Sequence, residues 1–190
     1  MGNREDLLAG ARTAILERGL AKVTARDIAQ AAGVSLAAIG YHFGSKDRLV
    51  METLTEGVGT EIGDGIDAAI KDAGEGRTPW EALAATWNGL VDVAYNNREA
   101  LLLSLENGVQ ISRNPESQVY MADATARALA DMAETLRGVY PDLSAEQAAA
   151  VGRMLFLLFQ GLSMQSLLAP SAEPFLGEDL MTAIEALRGR

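Results

Sequence analysis

Cysteine is absent from the 190 residues, which excludes disulfides, thiolate nucleophiles and cysteine-held metals together. Histidine occurs once, at position 42. With no phosphate-binding loop and no His–carboxylate pair at metal-ligand spacing, little is left for catalysis, and neither a metal nor a cofactor is implied. No stretch alternates as a strand does. The most apolar run, MLFLLFQGLSMQSLL (154–168), is broken by Gln160, Ser163 and Gln165 and reads as too short and interrupted to cross a bilayer. The opening MGNREDLLAG places acids where a secretory leader would need basic and then apolar residues. A soluble, cytoplasmic chain is the expectation.

Basic residues are scarce: 16 Lys and Arg face 26 Asp and Glu, a net charge of −10. That balance opposes a nucleic-acid partner until its distribution is considered. Residues 1–55 carry seven basic and six acidic side chains, while residues 56–190 carry nine and twenty. The acidity belongs to the later part, and the first quarter stands apart. Hydrophobic residues make up 48% of the chain, enough for a sizeable core, and the length suits one domain or a small head on a larger body.

What is present is helix after helix, with explicit caps. Gly19-Leu20 has the form of a glycine stop. Thr24-Ala-Arg-Asp27 reads as a capping box, Ser35 and Ser45 as caps, and Thr78-Pro79-Trp80-Glu81 as a cap, a first-turn proline and a box glutamate together. Asn97, Asn114-Pro115 and Ser144-Ala-Glu-Gln147 open further helices, Pro170 closes the long one after them, and Pro174 begins a last one to about Leu187. The pattern predicts an all-α fold of about nine helices. The fourth, from Lys46 towards Ala73, contains Gly57, Gly59, Gly63 and Gly65, read mainly as positions of close packing or a kink.

Near the N-terminus, Ala29, Gly33, Val34 and Ile39 stand at the spacing that lets two short helices cross steeply. The turn needs a residue tolerant of positive φ, and Gly33 supplies it. Val34 and Ile39 then anchor the second helix, leaving Ser35, Leu36, Ala37, Gly40 and Tyr41 facing outward. This is a helix-turn-helix, whose second helix lies in the major groove.

The run TARDIAQAAGVSLAAIGYHFGSKDRL (24–49) resembles the TetR family of transcriptional regulators, carried by Gly33-Val34-Ser35, Tyr41-His42-Phe43 and Ser45-Lys46-Asp47-Arg48-Leu49. Many members place a further aromatic before the triplet; here Gly40 stands in its place. The resemblance implies DNA contacts by Thr24, Arg26, Tyr41, His42 and Lys46 beside the outward residues of the reading helix. It also implies homodimers on palindromic operator DNA, and repression by default. The domains expected are residues 1–48, binding DNA, and residues 49–190, sensing a ligand and dimerising.

Within that second domain, residues 144–169 are apolar nearly all round, so they must be buried on every side. Val151, Leu155, Leu158 and Leu162, with Leu180, Ile184 and Leu187 of the last helix, resemble the family's dimer interface. Trp80, Trp87, Asn88, Tyr95, Asn107, Gln110, Phe156 and Gln160 are candidate lining of a pocket for a small apolar or uncharged polar effector. The rival reading is a helical protein-binding adaptor that no longer reads DNA.

Overall fold

The computed structural model describes residues 4–189, and within them the chain is all-helical. Nine helices follow one another: α1 (Arg4–Arg18), α2 (Ala25–Ala31), α3 (Leu36–Phe43), α4 (Lys46–Gly74), α5 (Pro79–Asn96), α6 (Arg98–Ile111), α7 (Pro115–Val139), α8 (Ala145–Leu168) and α9 (Gly177–Leu187). Their starts are set by local chemistry. The Thr24 hydroxyl accepts from the Asp27 N–H while the Asp27 carboxylate accepts from the Thr24 N–H, and the same reciprocal pair recurs at Thr78/Glu81 and Ser144/Gln147. Ser45 caps α4 through the Arg48 N–H, and Asn114 caps α7 through the amides of Glu116 and Ser117. Ser35 occupies the cap position of α3, yet its side chain makes no cap hydrogen bond.

The chain divides into two compact units: Met1–Thr60 with Leu102–Asp123, and Glu61–Leu101 with Ala124–Arg190. The boundary predicted after position 48 falls inside α4, and the end of α6 with the start of α7 clusters with the N-terminal helices. In the first unit α2 packs against α1 and α3. Leu7, Ile28 and Leu49 are fully buried there, each contributing roughly 1.5–3 kcal/mol relative to exposure. Glu52, also buried, is held by guanidiniums from both sides: Arg4 donates to one carboxylate oxygen and Arg48 Nε to the other at 2.9 Å. Arg48 also reaches Glu116 on α7 at 3.0 Å, and Arg4 lies over the Phe43 ring. A buried carboxylate is tolerable only when paired in this way.

The second unit is built around Ile66, Ile70, Leu90, Leu136, Leu155 and Phe159. The connection between α8 and α9 is fastened to α5. Trp87 Nε1 donates to the Phe175 carbonyl at 2.7 Å, and the Gly177 N–H donates to Asn88 Oδ1 at 2.8 Å. At Gly177 any side chain would collide with the Ala84 carbonyl, so the close approach requires glycine. These contacts explain why α9 begins at Gly177 and not at Pro174: the residues between are used to bind α5. Arg98 donates to the carbonyls of Ser166 (2.7 Å) and Leu167 (3.3 Å), satisfying the last turn of α8.

α8 has 24 residues, and an 18-residue window within it has a mean hydropathy of 1.2, so by length and composition alone it could cross a membrane. Its inner side is occupied by the chain's own core through Ala148, Gly152, Leu155, Phe159 and Leu162. Of the glycines of α4, Gly65 packs against Val93, whereas among the described residues no atom lies within 4 Å of where a Cβ would stand at Gly59 or Gly63. Packing therefore accounts for the first and not for the other two.

Candidate nucleic-acid interface

The path from sequence to surface is shortest at α3. Gly33 turns the chain with φ +66° after α2, and its N–H and that of Val34 donate back to the carbonyls of Gln30 and Ala29. This places Val34 partly inside and begins α3 at Leu36. Ile39 and Phe43, four apart on one side, are buried against the first unit's core. The same periodicity turns Leu36, Ala37, Gly40 and Tyr41 outward, and all four are exposed, with Ser35 at the cap position. Tyr41 is 86% exposed and stands edge-on to the His42 ring at 4.9 Å.

The remaining predicted DNA residues lie at the start of α2, at the end of α3 and at the start of α4. Thr24 and Arg26 are exposed at the start of α2. The Thr24 hydroxyl is engaged by Asp27, donating to its carboxylate at 2.7 Å. That bond holds the Asp27 carboxyl below its usual range, aided by the Thr24 N–H and by Arg18. Asp27 is therefore a helix-capping acid. Lys46 is partly buried, with Nζ donating to the Val23 carbonyl at 3.4 Å and pairing with Asp47, so it ties the start of α4 to the segment before α2. His42 is exposed in the last turn of α3.

The residues predicted to line a pocket are dispersed. Trp87 and Asn88 are the two groups that fasten the α8–α9 connection. Trp80 is exposed in the first turn of α5 beneath the Arg188 guanidinium, 4.9 Å from its ring centre. Phe156 packs against the second unit's core, and Gln160 is exposed on α8. Asn107 is buried and Gln110 exposed, both in the first unit. Tyr95 alone carries the signature of a waiting contact: its hydroxyl is buried without a hydrogen-bond partner. Sequence reasoning missed two more such groups, the Thr55 hydroxyl on α4 and the Ser163 hydroxyl, the latter because a serine within an apolar run reads as an interruption. It also missed Glu52, although Arg48 four residues earlier was a usable signal.

Of the residues assigned to a dimer interface, Leu155, Leu162 and Leu180 already lie in the chain's own core. Val151 and Ile184 are half-buried against it, while Leu158 and Leu187 are exposed. The open side of α8 carries Met154, Leu157, Leu158, Met164 and Leu168.

Residues 7–53 match the profile of the bacterial regulatory proteins of the tetR family. The HTH-type transcriptional regulator BetI of Brucella canis is 40% identical over 82 residues, 43% of this chain and 39% of that protein. The chain thus spans about two fifths of the length of these curated relatives. BetI 2 of Chromohalobacter salexigens is 29% identical over 167 residues, covering 88% of this chain and 78% of its own. Among solved structures, Thermus thermophilus FadR, a TetR family transcriptional repressor in complex with lauroyl-CoA, superposes with a TM-score of 0.62 at 20% identity, over 97% of this chain and 93% of that one. That likeness is one of fold. The head, with its turn and second helix built as described, is thus similar to the DNA-binding head of the tetR family of bacterial regulatory proteins, and the chain as a whole shares the fold of solved TetR-family regulators.

Proposed function

We propose that the protein is a transcriptional regulator that binds palindromic operator DNA as a homodimer and is released by a small uncharged effector. The observation that carries the reading is the division of α3: Ile39 and Phe43 are buried, Leu36, Ala37, Gly40 and Tyr41 turn outward, and Ser35 and His42 are exposed at its two ends. Inserted in a major groove, that outward side meets base edges while Thr24, Arg26 and Lys46 lie towards phosphates. The seven basic residues of the first 55 limit the phosphates each head can neutralise, so affinity falls moderately with salt.

Self-association is supported by the open side of α8, where Leu157 is 61% and Leu168 72% exposed on the same helix as Met154, Leu158 and Met164. A contiguous apolar helix face in a globular chain marks a protein contact. An uncharged effector is supported by the second unit: among the described residues it buries Thr86, Ser163 and Ser166 but no charged side chain. The unpartnered hydroxyls of Tyr95 and Ser163 cost about 1–3 kcal/mol each until something bonds them. Because α4 belongs to both units, an effector that favours one arrangement of this helix alters the heads' fit to DNA.

Selection from random duplexes at low ionic strength tests the central reading, and recovery of an inverted repeat is the expected result. Failure to enrich any duplex would favour the protein-binding adaptor. Operator affinity measured with and without candidate neutral ligands tests the release step; equal affinities for every ligand would remove it.

A further inference from the structure

Short of Tyr41 and His42 at its far end, the exposed part of α3 carries very little that can form a hydrogen bond to a base. Its first turn presents Leu36, 48% exposed, beside exposed Ala37. One turn later comes Gly40, where an added Cβ would meet no atom within 4 Å. The one polar side chain at this end is Ser35, whose hydroxyl is not used as a helix cap. Ile39 and Phe43 are turned into the core and are not available. A leucine exposed at the start of a reading helix would desolvate the carbonyl and amino edges of a G·C pair without replacing their hydrogen bonds, which is unfavourable. Only one group on the major-groove edges of the four bases is apolar, the C5-methyl of thymine.

We infer that Leu36 and Ala37, with the notch left by Gly40, form an apolar reading patch that selects operator positions by their thymine methyl groups. The inference rests on the proposed reading of DNA by α3 and adds to it the chemical class of base recognised. Leu36 supplies the contact area, Ala37 a methyl of its own, and Gly40 lets the helix backbone come close to the base edge. Specificity from this patch comes from apolar contact and shape, and Ser35 is left as the one hydroxyl of that end able to bond a base.

The test uses the full chain and the duplex recovered by selection. Each thymine of one half-site is replaced in turn by deoxyuridine, which removes the C5-methyl and leaves the Watson–Crick edge unchanged. Loss of one buried methyl corresponds to about a fourfold rise in Kd (about 0.8 kcal/mol). That rise is expected at one or two thymines per half-site, and at those positions Leu36→Ala should erase it. The side chain is half-exposed on the protein surface, so the variant keeps the fold. If every deoxyuridine duplex binds within twofold of the parent, the methyl reading is overturned while DNA binding stands. If Leu36→Ala leaves the deoxyuridine penalty intact, the assignment to this patch is overturned. If no duplex is recovered at all, the DNA reading itself fails, and the inference with it.

Discussion

At the scale of single residues, position 40 separates what the fold requires from what the surface does. A glycine inside a helix costs up to about 1 kcal/mol relative to alanine. Gly40 is mid-helix, exposed and without a positive φ, and open space surrounds the missing Cβ. Gly40→Ala should therefore raise Tm by roughly 2–4 °C, read by thermal melting, yet weaken binding to the selected duplex because the added methyl enters the reading notch. A rise in both would mean that the notch is not at the DNA. Tyr41→Ala makes the complementary case: the ring buries almost nothing in the chain, so stability should hold while operator affinity drops by about tenfold or more in a gel-shift titration. In the second unit, Tyr95→Phe removes a buried hydroxyl that has no partner. Stability to urea should rise by about 1 kcal/mol or more, and response to the effector should decline.

Individual helices are where the sequence was most legible, because caps act over four residues and need no tertiary partner. Thr24, Thr78 and Ser144 were readable as box openings, and each closes its reciprocal pair. Ser35 stands at a cap position too, but Ala38 three residues on offers no side chain to close a box, and its N–H donates to the Ser35 carbonyl at 3.0 Å and not to the hydroxyl. Thr24→Ala or Thr78→Ala should thus cost about 1 kcal/mol in urea denaturation and Ser35→Ala much less. The caps also give a pH signature. Thr24 holds Asp27 below its usual 3.8, chiefly through its hydroxyl, and Thr78 holds Glu81 below 4.5, chiefly through its N–H. Carboxyls lowered in the folded state stabilise fully above their unfolded values, and that contribution is lost as pH falls through the lowered folded values. The stability gap between wild type and Thr78→Ala should accordingly be full near pH 7 and narrow, without closing, as pH falls through the lowered Glu81 value, because the hydroxyl's bond to the carboxylate is lost while its bond from the Glu81 N–H remains. What one helix could not disclose was which neighbour it would meet. Trp87 and Asn88 look like pocket residues on the helical face of α5, but their use depends on a segment almost ninety positions later.

For the whole molecule, the same limit explains why the helix-turn-helix was readable and the body was not. The head is specified by turn chemistry and close spacing, whereas the division of α8 into an inner and an open side is set by distant helices. Leu155 and Leu162 face the core and Leu157 and Leu168 do not, although all four stand in one apolar run. Leu157→Glu should leave the fold intact and shift the protein to monomer in sedimentation or light scattering, with operator affinity falling as the second head is lost. A dimer that persists would place the association surface elsewhere. The fastening of the last helix also equips the protein with an optical probe. Its two tryptophans sit in opposite settings, Trp87 enclosed and bonded to Phe175, Trp80 open beneath Arg188. Undocking of α9 would redden the emission of the first and bare the second to a quencher, so intrinsic fluorescence follows that one event without any label.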